Sequence, residues 1–184
     1  MEWFWYFTIY SILGCGLEIV FARAVGARPD RKRLFLLPLC PVYGVGACLC
    51  LCVAPLLREN PPALFLAGGI VCTAVEYLMA VWYERGLGVT FWDYRGQRGT
   101  LWGRVCVPFS AAWGILALCV VYGIHPYVSR AVRALPLPLS LTAALFVCAD
   151  MVASGVMLRR THDRGCLRWY ARFFSARNPP ARSG

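Results

Sequence analysis

Five runs of apolar residues, each long enough to match the thickness of a bilayer core, constrain this chain more than any other feature. They cover roughly residues 3–22, 34–57, 62–83, 105–127 and 136–158. A helix needs about 20 apolar residues to cross about 30 Å of hydrocarbon. A soluble domain of this length has no core large enough to hide that much apolar surface. Only 15% of the 184 residues are charged and 59% are hydrophobic, against about 25% charged in soluble domains. The expected fold class is therefore all-α: an integral membrane helical bundle of about five transmembrane helices. The first run is expected to be a span and not a signal peptide, although "ARA" at 22–24 resembles a cleavage site. The flank before it lacks Lys and Arg, and the apolar run is too long.

Basic residues fall unevenly between the runs. Arg23, Arg28, Arg31, Lys32 and Arg33 separate the first from the second, and Arg85, Arg95, Arg98 and Arg104 separate the third from the fourth. Seven more arginines follow the fifth, while Arg58, Arg130 and Arg133 alone lie on the opposite side. The positive-inside rule then puts the N-terminus outside and the C-terminus in the cytoplasm. The net charge of +10 is a topology signal, not a nucleic-acid footprint, because the basic residues flank spans instead of lining one face. Residues 1–158 are read as a single transmembrane domain with a cytoplasmic lid loop at 85–104. Residues 159–184 are read as a basic tail whose end, "RNPPARSG", has a disordered composition.

The ten cysteines are not a disulfide framework, since nearly all lie inside apolar runs, where Cys behaves as a small hydrophobe. In "CLCLC" the i, i+2 spacing turns successive sulfurs in different directions on a helix, so no metal is expected, and no cofactor motif is present.

Ionisable side chains are costly in hydrocarbon and should face the bundle interior. Glu18, Glu76 and Asp150 lie roughly 6, 10 and 12 Å from the inner ends of their spans at 1.5 Å per residue, and Arg104 opens the fourth. All four belong to the cytoplasmic half. Positions spaced i, i+3, i+4 and i+7 share a helix face. Those faces read Ser11, Gly14, Cys15, Glu18; then Cys40, Tyr43, Gly44, Ala47; then Gly69, Cys72, Thr73, Glu76, Ala80; and last Ala143, Phe146, Val147, Asp150, Ser154. Two readings stay open: acids that glue helices together, and a polar site open to the cytoplasm. Pro38 and Pro41 break helical hydrogen bonding at the start of the second run, which predicts either an unwound stretch beside the polar residues or a simple kink. The insert "FWDYRGQRGTLWGR" (91–104) carries Trp92, Asp93, Tyr94 and Trp102 with glycines at 96, 99 and 103. It is expected to lie as a lid under the site, with Asp93 and Arg104 folding onto each other or onto Glu76.

These residues also carry a resemblance. "YSILGCGLEIVF", "PLCPVYGVGA", "AVEYLMAVWYERGLGVTFWDYRGQRGTLWGRVCVPFSAAWGILALCVVYGIHP" and the late "ADM" resemble, in that order, the type IV family of ABC-transporter permeases over about residues 6–152. The matching positions include Tyr10, Ser11, Gly14 and Glu18; Cys40, Pro41, Tyr43 and Gly44; Glu76 and Tyr77; Trp92, Asp93 and Tyr94; Gly103 and Arg104; Ser110, Trp113 and Gly114; and His125 and Pro126. The resemblance implies a bacterial cytoplasmic-membrane permease subunit paired with a separate ATPase. The chain contains no GxxxxGK[ST] phosphate loop, so any ATP hydrolysis belongs to another polypeptide. A path built from so few spans suggests a homodimer. The candidate substrate-binding set is Glu18, Cys40, Tyr43, Glu76, Trp92, Asp93, Tyr94, Arg104, Ser110, Trp113 and Asp150. Two alternatives stand beside transport. One is an intramembrane enzyme acting on a lipid or lipid-linked substrate, with the acids as acid, base or metal ligands and Arg104 holding a phosphate. The other is a non-catalytic sensor or assembly protein.

Overall fold

The computed structural model describes residues 1–26 and 35–167. Arg28, Arg31, Lys32, Arg33 and the tail from residue 168 onward lie outside the described residues. The described chain is all-helical: α1 (Glu2–Val25), α2 (Pro41–Leu57), α3 (Pro61–Trp82), α4 (Val107–Leu118), α5 (His125–Arg133) and α6 (Leu137–Thr161). α3 continues into a π-helical turn, Tyr83–Leu87, and a second π-helical segment, Cys119–Ile124, joins α4 to α5. With those extensions, Glu2–Val25, Pro61–Leu87, Val107–Arg133 and Leu137–Thr161 are four helices long and apolar enough to cross a membrane. The protein is a multi-pass membrane protein built as a helical bundle.

The run at 34–57 yields a shorter helix than its length suggests. α2 has 17 residues, about 25 Å at 1.5 Å per residue. Its start is delayed because Pro41 is tolerated only in the first helical turn, where its missing N–H costs nothing, and residues 35–40 are non-helical. The backbone donors freed there find partners on other helices. Leu36 and Leu37 N–H donate to the Asp150 carboxylate at 3.2 and 3.1 Å, and Cys40 N–H donates to Ser11 O at 3.0 Å. Irregular backbone is tolerated at membrane depth only where protein satisfies it in this way.

Helix ends follow local chemistry. Asn60 caps α3 by accepting from Ala63 N–H at 3.1 Å, and Gly26 closes α1 in the left-handed region at φ 66°. α1 and α2 meet through small residues. A Cβ at Gly14 would fall inside the Tyr43 ring, and one at Gly44 would strike Ser11 Oγ and the Phe7 carbonyl, so the helices pack at backbone distance. The outward surfaces are apolar. Ile70, Leu78, Leu145, Phe146 and Val152 are all exposed, as suits side chains that meet lipid. On α6 the buried stripe is Ser140, Val147, Asp150, Ser154 and Leu158. Phe146, grouped with Asp150 on one face by sequence spacing, points outward instead.

Candidate functional site

Glu18, Glu76 and Asp150 are all buried, and the structure links the first two through aromatic side chains. Tyr43 of α2 donates its hydroxyl to Glu18 Oε1 on α1 at 2.7 Å. The Tyr43 ring packs against the Trp113 ring of α4, with centroids 4.8 Å apart. Trp113 Nε1–H donates to Glu76 Oε2 on α3 at 2.9 Å, and Tyr94 from the 88–106 loop donates to Glu76 Oε1 at 2.9 Å. Four helices and the loop thus meet at two carboxylates. The Tyr94 ring is itself held by stacking on Phe109, 4.7 Å between centroids and 24° between planes. One donor reaches Glu18 and two converge on Glu76 from different elements, so the cluster stiffens the place where the helices converge.

Above Tyr43 and Trp113 lies a cavity of about 310 Å³ between α1 and α4, backed by Cys50 of α2 and Cys72 of α3. Its lining is carbon and sulfur almost throughout. At its far end the Tyr10 hydroxyl and His125 Nδ1 are hydrogen-bonded at 3.2 Å. His125 thus stands behind Tyr10, the cavity-lining residue at the end opposite Trp113.

The remaining candidates lie elsewhere. Arg104 does not reach Glu76. Its guanidinium binds the Glu84 carboxylate through Nε and Nη2, at 3.0 and 2.5 Å to Oε2, and lies 5.6 Å over the Tyr77 ring. Those bonds to Glu84 raise its already high pKa. Asp93 is exposed and pairs with Arg95 Nη2 at 2.7 Å. The Arg95 side chain and backbone N–H together hold the Asp93 carboxyl below its ordinary range. The predicted fold-back of Asp93 onto Arg104 or Glu76 is replaced by this local turn. Trp92 is buried and donates to the Arg104 carbonyl at 2.8 Å, so it fastens the loop to itself. Trp102 is the ring left exposed, at 71%, and its φ of 49° is unusual for a non-glycine residue. Asp150 serves the non-helical stretch before α2. Cys40 is the buried residue at which α2 begins. Ser110 accepts from Thr73 Oγ1 at 2.8 Å and donates to the Cys106 carbonyl, bracing α3 against α4.

Glu84 was missed from sequence; it lies in the π-helical turn Tyr83–Leu87 that continues α3 toward the loop that supplies Arg104. Among the described residues, no group of three or more His, Cys, Asp or Glu side chains is placed to hold a metal ion.

A family model described as "Putative ABC-transporter type IV" matches residues 5–157. No curated protein and no solved structure matches the chain.

Proposed function

The chain belongs to the ABC-transporter type IV family, and on that premise we propose that it is the permease subunit of a transporter whose ATP hydrolysis resides on a separate P-loop polypeptide. The chain is a permease-type membrane protein; the pathway, the gate and the partner are our reading. Five crossings are proposed, the shorter α2 included, with the N-terminus outside and the C-terminus in the cytoplasm; the distribution of Lys and Arg supports that orientation. In that frame residues 1–158 form one transmembrane domain, 85–104 is a cytoplasmic loop, and 159–184 is a cytoplasmic tail. A single copy encloses a small pathway, so two copies are the expected working unit.

The Glu18–Tyr43 and Trp113–Glu76–Tyr94 contacts are read as the inner gate of the apolar cavity. One observation carries this reading. The Tyr94 hydroxyl, on the loop, donates to Glu76, on α3, at 2.9 Å. Any push that displaces the loop must stretch that bond, and Glu76 is held in turn by Trp113 of the cavity wall. A partner docked on the exposed, basic side of the loop, near Arg95 and Arg98, would act on the gate across two hydrogen bonds.

The intramembrane-enzyme reading is weaker, because the cation it needs for a phosphate is already occupied by Glu84. Co-purification from native membranes separates the two. A P-loop ATPase recovered with the chain, and lost when Arg95 and Arg98 are changed to Glu, supports the permease. Repeated recovery of the chain alone, with a lipid ordered at Arg104, overturns it.

A further inference from the structure

The cavity between α1 and α4 has chemistry of its own. Its volume of about 310 Å³ is at the small end of ligand pockets, which run from about 300 to 1,000 Å³. Apolar cavities of even about 150 Å³ stay dry and take up benzene or xenon. Among the described residues, no Asp, Glu, Lys or Arg lines it, and a charge brought there without a partner would pay a large desolvation cost. The two tyrosines in its wall direct their hydroxyls to His125 and to Glu18, so those polar atoms are already engaged where the rings line the space. Its mouth is bordered by Leu13, Leu17 and Ile124, which are exposed on the outer surface of the spans. Access is therefore sideways, from the bilayer.

We propose that this cavity is a binding site for a compact, uncharged, aromatic lipophile that enters from the membrane between α1 and α4. The proposal rests on the permease reading only in making that molecule the permeant. Compactness follows from the closed ends. Tyr10 with His125 shuts one and Tyr43 with Trp113 the other, and Tyr10 to Leu17 along α1 spans about 10 Å. A molecule held wholly inside is limited to about that length, and a longer alkyl chain would have to leave part of itself in the bilayer through the side mouth. Aromatic character follows from what lines the space. The Tyr43 and Trp113 rings are tilted by 54° at 4.8 Å and offer faces and edges to a third ring. The Cys50 and Cys72 sulfurs, 3.4 Å apart in the wall, add polarizable contacts that favour a ring over a saturated chain. A Cβ at Gly46 would stand 3.1 Å from Cys72 Sγ, so the absence of a side chain there lets α2 come close to that sulfur.

The test uses the full chain in lipid nanodiscs with fluorobenzene as the probe, followed by fluorine NMR. Saturable binding at one site per chain is expected. Ala47→Phe fills the space and should weaken binding by about tenfold or more, and Leu13→Trp at the mouth should slow exchange. Val152→Phe on the lipid-facing side of α6 should change neither. In a variant that keeps only Cys50 and Cys72, fluorobenzene should slow alkylation of both thiols by N-ethylmaleimide. Non-saturable partitioning that is identical in the native chain and in both cavity variants overturns the proposal. So does protection of the thiols by 1-decanol in place of fluorobenzene, which would make the occupant an alkyl chain. Saturable fluorobenzene binding in a protein that recruits no ATPase would sink the permease reading and leave the site standing.

Discussion

Trp113 and Glu76, 37 positions apart on α4 and α3, are joined by an indole N–H donated to a carboxylate oxygen at 2.9 Å, and neither side chain is open to solvent. This bond joins the cavity wall to the carboxylate that the loop also holds. Trp113→Phe keeps most of the ring and removes the donor. The expected loss is about 1–3 kcal/mol, the usual cost of taking one partner from a buried polar group. Equilibrium unfolding in detergent checks it. Combined with Tyr94→Phe, which strips the other oxygen of its donor, the effects should depart from additivity by about 0.5–3 kcal/mol, as groups sharing one partner do.

Asp150 accepts from two consecutive backbone N–H groups, Leu36 and Leu37, on the stretch that precedes α2. Asn in its place offers one acceptor oxygen and an unwanted donor. Asp150→Asn should speed hydrogen exchange at Leu36 and Leu37 by roughly two- to tenfold, corresponding to about 0.5–1.5 kcal/mol for each hydrogen bond weakened. Exchange at Leu64 in α3, away from this contact, should not change. Equal acceleration at all sites would mean global loosening and defeat the assignment.

What the sequence made legible was periodic. The face Ser11, Gly14, Cys15, Glu18 is buried throughout, because a 3.6-residue repeat read from one strand of text describes one helix well. Relations between helices were not legible. Tyr43 reaches Glu18 because Gly14 admits its ring against α1, and no spacing within either helix encodes that register. The late start of α2 was half visible in Pro38 and Pro41, yet the partner that makes it affordable, Asp150, lies 113 and 114 positions away. Arg104 was drawn toward Glu76 by depth alone. Glu84, seven residues beyond Tyr77 in the π-helical turn that continues α3, captures it instead.

The Asp93–Arg95 turn predicts how the loop responds to acid. The Asp93 carboxyl is held below its ordinary range, first by the Arg95 side chain and then by its backbone N–H. A depressed folded value means that the contribution is fully present above the unfolded value, about 3.9, and is lost as pH falls through the folded value. The loop should therefore keep its protease resistance from neutral pH down to about 4 and lose it only below. Asp93→Asn should show the acid-like susceptibility already at neutral pH. A transition near pH 6 would assign the sensitivity to a different group.

Membrane orientation gives the last prediction, and it decides whether the gate faces the compartment where ATP is found. Glu59, in the short turn between α2 and α3, and Arg98, in the 88–106 loop, are both exposed and lie at opposite ends of α3. A helix of this length carries its two ends to opposite sides of the bilayer. The excess of Lys and Arg on the Arg98 side predicts, by the positive-inside rule, that this side faces the cytoplasm. In a chain with the native cysteines replaced by serine, Cys introduced at Glu59 should react with a membrane-impermeant maleimide in intact cells. Cys introduced at Arg98 should react only after the membrane is opened. Labelling of Arg98→Cys from outside would turn the protein over and place Tyr94 and Glu76 toward the exterior. The loop could not then meet a cytoplasmic ATPase, and the gate would have to be worked from the other end of the cavity, at Tyr10 and His125.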